Sequence, residues 1–246
     1  MLVMVSRCER DEALDRPTVL SMEPPLEQRL ELPTDRPLTV ADLVDTPDDG
    51  RRYELVDGRL DVSAAPVGLH TRAEFRLGWH LINAAPEEIF EVHGGPGIVL
   101  NDTRTAHRVP DIAVIRTEYF ELPYQTRPPV LAVEVLSPES VFRDTEQKRR
   151  EYADFGIESY WIVNPSLEKP GVSVLWLQDG RYREVAQVYG KDVFATDVPF
   201  PIRLVPEWLV ADGPWKANIG GPTEDANGSG SSGTAANGTT GSEGSG

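Results

Sequence analysis

Pro110-Asp111-Ile112-Ala113-Val114-Ile115 and Pro129-Val130-Leu131-Ala132-Val133-Glu134-Val135-Leu136-Ser137-Pro138 are the two segments whose reading decides the fold. Both read as strands, and the second is a continuous apolar run, the pattern of a central strand covered on both faces. Each also carries one carboxylate. A buried, unpaired carboxylate costs several kcal/mol or more, so a cation must meet it: a lysine, an arginine or a metal ion. Alternation along the second run places Val130, Ala132, Glu134 and Leu136 on one face. If the two strands are neighbours, Asp111 and Glu134 converge at one end of the sheet.

Outward from these runs, residues 144–154 read as a helix, with Asp144 as N-cap, Gln147 in the capping-box position and Gly156 as the C-terminal stop. Asp144, Lys148 and Tyr152 are spaced one turn apart and share a face. Tyr160 to Val163 is another buried strand, so a helix crosses between two central strands. Val172–Leu177 and Arg181–Val188 flank Asp179-Gly180, and Tyr53–Val56 and Arg59–Val62 flank Asp57-Gly58, both hairpin signals. Leu69, Ala73, Leu77, Leu81 and Ala85 mark a helix, with Phe75, Trp79 and Ile82 expected to widen its buried stripe. Thr39 with Asp42 caps a short helix before it, and Pro206–Val210 reads as a last short one. Ile89–Val92 and Ile98–Leu100 read as two strands joined by the Gly-rich turn between them. The expected class is α/β (α+β), a mixed central sheet flanked by helices.

Composition sets the limits of the domain. Residues 217–246 are almost wholly Gly, Ser, Thr, Asn and Ala, which cannot offset ordering entropy and predicts a disordered tail. Residues 1–37 are broken by five prolines and read as a loosely packed extension, leaving residues 38–216 as one domain. The net charge of −16 excludes a protein that coats nucleic acid through a broad basic surface. It leaves room for an enzyme that meets phosphates at one local patch with metal supplying positive charge. The single cysteine excludes a disulfide framework and a thiolate zinc site. No apolar run reaches the ~18 residues of a membrane span, so no membrane partner and a cytoplasmic setting are expected.

Two carboxylates at one point suit Mg²⁺, or Mn²⁺, with water and substrate phosphate completing the shell. A lysine nearby would orient or deprotonate water, or stabilise charge on phosphoryl oxygens. Other readings of the same residues stay open. Asp111 can serve a local turn, and Glu134 can pair with an arginine. Lys148, beside Arg149 and Arg150, can belong to a solvated face, and Glu54 can pair with Arg51 or Arg59. His70 opens the long helix and can face the site, although capping or surface exposure is the simpler role. His80, His93 and His107 show no paired spacing for zinc.

Taken together, Tyr53-Glu54-Leu55-Val56-Asp57-Gly58, Pro110-Asp111, Val133-Glu134-Val135-Leu136-Ser137-Pro138, Asp144…Lys148…Tyr152 and Gly156-Ile157-Glu158-Ser159-Tyr160-Trp161-Ile162-Val163 resemble the Uma-type putative restriction endonucleases. These were formerly catalogued as a domain of unknown function and belong to the PD-(D/E)XK nuclease superfamily. The resemblance covers about residues 38–190. It implies a restriction-endonuclease-like αβββαβ core, with Asp111 and Glu134 as metal ligands, Lys148 as the catalytic lysine and Glu54 as a further acidic member of the metal site. Two positions depart from the pattern. The usual Glu-x-Lys would put lysine at 136, which is Leu136 here, and Asn164 stands where relatives often carry aspartate, beyond the expected site. The implied activity is Mg²⁺-dependent hydrolysis of phosphodiester bonds in DNA, by a chain that can borrow binding surface as a homodimer. The alternative is a catalytically silent module of the same fold that binds nucleic acid or a protein partner.

Overall fold

The computed structural model describes residues 32–66, 68–137 and 140–222. Most of the expected N-terminal extension, and the expected tail from residue 223 onward, lie outside the described residues.

A six-stranded sheet forms the centre. Its strands in chain order are β3 (Phe90–Gly94), β6 (Ile112–Arg116), β7 (Leu131–Val135), β8 (Ser159–Asn164), β9 (Gly171–Gln178) and β10 (Arg181–Tyr189). In space they run β10-β9-β8-β7-β6-β3. Every pairing is antiparallel except β7 with β8, which is parallel and therefore needs a crossover. The crossover is a π-helical turn (Arg143–Gln147) continuing into α2 (Lys148–Phe155). A smaller sheet, ordered β2-β1-β5-β4, comprises β1 (Arg52–Val56), β2 (Arg59–Ser63), β4 (Ile98–Val99) and β5 (His107–Arg108). The two strands joined by the Gly-rich turn thus belong to different sheets.

Alternation along β7 divides the molecule into layers. Leu131, Val133 and Val135 face the core beneath α1 (Leu69–Ala84), together with Ala73, Leu77 and Leu81 of that helix. Ala132 faces the other way, toward Tyr152, Ala153 and Tyr160, and Glu134 shares its side. The domain closes with the two-stranded pair β11 (Phe194–Thr196) and β12 (Ile202–Leu204), then α3 (Glu207–Val210) and α4 (Trp215–Asn218).

Both Asp-Gly hairpins form with positive φ at each central residue, Asp57 at 49° and Gly58 at 73°, Asp179 at 51° and Gly180 at 73°. Gly58 is required for a second reason: a Cβ there would lie 2.5 Å from Pro37 Cβ. Gly156 ends α2 in the left-handed region, and Thr39 N–H donates to Asp42 Oδ2 at 2.8 Å at the start of a 3-10 helix, Val40–Asp45.

Three expectations need correction. Phe75 and Ile82 do not widen the buried stripe of α1; they are 69% and 60% exposed. Arg76 takes a buried place instead, its guanidinium donating to the carbonyls of Trp208 and Ala211. Asp144 is no N-cap: it lies inside the π turn with its side chain buried. Residues 217–222 do not fit the disordered tail expected from residue 217, because Ala217 belongs to α4 and Ile219 is buried in the main core.

Candidate active site

Glu54, Asp111, Glu134 and Lys148, the four residues singled out in the sequence, line one cavity of about 750 Å³. All four are almost fully buried. Strand register explains the first convergence. Ile112 opposes Val133 in the β6–β7 ladder, so the next step outward sets Asp111 opposite Glu134. Val135 N–H donates to Asp111 Oδ2 at 2.5 Å and fixes that carboxylate to the edge of β7.

Lys148 enters from above as the first residue of α2. Its Nζ lies 2.9 Å from Glu134 Oε1, 3.3 Å from Glu54 Oε1 and 3.7 Å from Asp144 Oδ1. Burial by itself would lower the lysine pKa, but three carboxylates around one ammonium outweigh it and raise the pKa. Glu134 carries the costliest charge. Burial, with Asp111, Asp144 and Glu54 adding repulsion, pushes its pKa up to about 8 despite Lys148. Tyr152 Oη donates to the same Oε1 at 2.8 Å, so both hydrogen bonds to Glu134 among the described residues fall on one oxygen. Asp144 is also raised, chiefly by burial, and its Oδ1 has no hydrogen-bond partner among the described residues.

Glu54 sits differently. Arg108, wholly buried, donates from Nη1 to Glu54 Oε2 at 3.0 Å, and Val109 N–H donates to Oε1 at 2.8 Å. Burial alone would raise the Glu54 pKa, but Lys148 and Arg108 hold it down at about 2. The partner is therefore Arg108, neither Arg51 nor Arg59. Arg108 also grips Glu151 of α2, from Nε at 2.6 Å and Nη2 at 2.8 Å. One guanidinium thereby ties the small sheet to the helix that carries the lysine.

Asp111 faces cations from a third direction. Arg52 on β1 hydrogen-bonds its Oδ1, and His70 Nε2 on α1 lies 3.3 Å from its Oδ2. Burial works against the Asp111 anion, yet His70 and Arg52 keep its pKa lowered. For His70, burial lowers the pKa, but Asp111 and Glu74 win and raise it to about 9.

His70, Glu74, Arg52, Arg108 and Asp144 were not among the site residues the sequence suggested. His70 and Glu74 had a legible signal, since their i, i+4 spacing puts a nitrogen and a carboxylate on one face of a helix. Arg52 and Arg108 had none: their roles come from strand pairing across more than 50 residues. Asn164 lines the cavity rather than lying beyond it. His80, His93 and His107 are engaged elsewhere, bonded to Arg203 O, stacked on Phe120 and packed against Tyr124 respectively.

The donor set fits a hard divalent cation. Buried carboxylates outnumber the lysine three to one within 4 Å of its ammonium, and the Asp144 oxygen lacks any hydrogen-bond partner among the described residues. The Glu134 oxygen that accepts no hydrogen bond among the described residues and the unpartnered Asp144 oxygen are the atoms such a cation would take up.

The family described as "Uma2: Putative restriction endonuclease" matches residues 40–218. A solved structure described as a putative nuclease belonging to DUF820, from Anabaena variabilis ATCC 29413, is 16% identical. Its alignment covers 65% of this chain and 89% of the other, with a TM-score of 0.51, a likeness of fold. No curated protein matches the chain. Among the described residues no helix is long and apolar enough to cross a membrane.

Proposed function

From the premise that the chain belongs to the Uma2 family of restriction-endonuclease-type proteins, we propose that its cavity is the active site of a metal-dependent endonuclease that hydrolyses phosphodiester bonds in DNA. The observation that carries this reading is Lys148. It departs from the strand position of the usual motif, yet its ammonium comes 2.9 Å from Glu134. Asp111 faces Glu134 across the β6–β7 ladder.

Asp111 and Glu134 would hold the cation, Mg²⁺ or Mn²⁺. Bound there, it would lower the pKa of a water molecule and neutralise charge on a phosphoryl oxygen. Lys148, with three carboxylates favouring its protonated form, is suited to donating hydrogen bonds rather than to acting as the base. It donates hydrogen bonds to the attacking water or to the phosphoryl oxygen as negative charge grows there. Tyr152 fixes the rotamer of Glu134 through Oε1 and leaves the other oxygen to the cavity. Glu54 has Arg108, Val109 N–H and Lys148 on its oxygens, which suits it to orienting the lysine more than to binding metal. Arg52 and Arg143 add positive charge to the cavity wall, where a phosphate chain would enter a protein whose net charge is −16.

That same acidity favours a second reading, a silent module of nuclease fold that binds a partner. Nicking of supercoiled plasmid with Mg²⁺ or Mn²⁺ separates the two. The enzyme reading expects cleavage by the parent and a loss of at least 100-fold in Asp111→Asn and Glu134→Gln, with folding of each checked by circular dichroism. A parent that binds DNA but cuts neither DNA nor RNA would sink it in favour of the silent module.

A further inference from the structure

His70, Glu74 and Asp111 each offer one ligand atom, and the three atoms lie within 4.8 Å of one another. His70 and Glu74 come from the first turns of α1, and Asp111 from the start of β6. The spacing is loose for hydrogen bonding. His70 Nε2 stands 3.3 Å from Asp111 Oδ2, and His70 Nδ1 stands 3.6 Å from Glu74 Oε2. Charge-assisted N–H···O bonds close to about 2.7–2.9 Å. His70 Nδ1 is buried and has no hydrogen-bond partner among the described residues. By contrast, two ligands at ~2.1 Å from one ion, set at right angles, are ~3.0 Å apart, close to the Nε2–Oδ2 separation. Glu74, whose Oε2 is the carboxylate oxygen nearest Nδ1 at 3.6 Å, would receive the second ring N–H of a metal-bound imidazole after a shift of under about 1 Å and fix its tautomer.

We infer that His70 is a nitrogen ligand to the cation at Asp111, with Glu74 as its orienting carboxylate, so that the site prefers Mn²⁺, Co²⁺ or Zn²⁺ to Mg²⁺. Imidazole binds these borderline ions well, whereas Mg²⁺ holds to oxygen and gives up water reluctantly. Arg52 takes Oδ1 of Asp111 and lies 3.9 Å from Glu74 Oε2, while His70 approaches Oδ2, the oxygen that also accepts from Val135 N–H. The inference rests on the reading of Asp111 as a metal ligand, and its test distinguishes the two.

The experiment is electron spin-echo spectroscopy of the full chain loaded with Mn²⁺, grown with natural and with ¹⁵N-labelled histidine. Nitrogen modulation that changes with the label shows an imidazole on the ion, and its loss in His70→Gln assigns it among the four histidines. Titration of the same samples should show His70→Gln and Glu74→Gln weakening Mn²⁺ binding on the order of 10–100-fold, with Mg²⁺ affinity shifting by less than about 3-fold. His80→Gln should leave the modulation intact. If the parent binds Mn²⁺ with no histidine nitrogen coupling, His70 is not a ligand, although Asp111 and Glu134 can still hold the ion. If the parent binds no Mn²⁺ at millimolar concentration, this inference and the metal-dependent reading fall together. The labelled parent decides the matter even if a variant folds poorly.

Discussion

Replacing Lys148 by methionine removes the one ammonium from among Glu134, Glu54 and Asp144 while keeping most of its packing volume. At an effective dielectric of ~20, each of the contacts at 2.9, 3.3 and 3.7 Å is worth about 5 kcal/mol gross. Desolvation of the charges offsets most of that. The net cost of leaving such carboxylates without their cation is about 3–5 kcal/mol. This cost has a definite pH dependence. Glu134, already pushed up to about 8 in the parent, and Asp144, also raised by burial, lose in the variant the cation that opposes that rise. The folded variant then holds protons that the unfolded chain has released, so its stability falls as pH rises from about 4.5 through about 8. Urea denaturation at about pH 5 and about pH 8.5 measures the difference. Lys148→Met should lie within about 1–2 kcal/mol of the parent in acid and lose the full amount in alkali, and Mn²⁺ should restore part of it by mass action. A variant as stable as the parent at both pH values, and indifferent to Mn²⁺, would show that Lys148 does not neutralise the cluster.

The remaining predictions concern the frame around the site. Burial holds the pKa of His107 down at about 4, so the folded state stays neutral where the unfolded chain takes up a proton. Stability should therefore fall by about 3 kcal/mol as pH drops from about 6.5 to about 4, and His107→Gln should flatten that slope in thermal melts. In Gly97→Ala the new Cβ would meet His107 Nε2 at 2.6 Å and a Tyr124 ring carbon at 2.8 Å, so a loss of about 1–3 kcal/mol is expected by urea denaturation. Arg108→Met removes the buried partner of Glu54 and Glu151, leaving Glu54 to Lys148 and Val109 N–H, and should cost about 3 kcal/mol, with nicking activity falling alongside; an unchanged melt would refute its role as the tie between sheet and helix. Phe75→Ser and Ile82→Ser, on the exposed side of α1, should each change stability by less than about 0.5 kcal/mol.

What the sequence disclosed, and what it withheld, follows from the range of the forces involved. The Asp-Gly hairpins, the capped Thr39 turn and the Gly156 stop depend on a few neighbouring residues, and they were legible. The β7 strand was legible because a run covered on both faces leaves no polar side. Phe75 and Ile82 were misread because apolar character was taken as burial, whereas the true stripe follows Ala73, Leu77 and Leu81 with Arg76 beside them. Asp144 was misread because capping statistics do not foresee a π turn, which carries the residue inward. The convergence of Asp111 and Glu134 could be anticipated from strand alternation, whereas the place of Lys148 beside them was implied only by the family resemblance. The cations around them could not: Arg108 is 54 residues from Glu54, and Arg52 is 59 from Asp111. A histidine four residues ahead of a glutamate was visible, but such a pair acquires meaning only when a third ligand arrives from another strand.

Placing the ammonium on α2 rather than on β7 changes what kind of device the site is. Two residues apart on one strand, an acid and a base are locked together by the pleat for as long as the sheet exists. Here the two belong to separate parts joined by residues 136–147, and only tertiary packing keeps them in register. Local opening of α2 would disarm the cluster while the sheet stayed whole, making the helix a safety catch that hydrogen exchange could observe directly. The same separation frees the length of the connecting segment from the geometry of the pair. Insertions there need only let α2 dock again, so relatives with longer or shorter crossovers can keep the same three-point cluster.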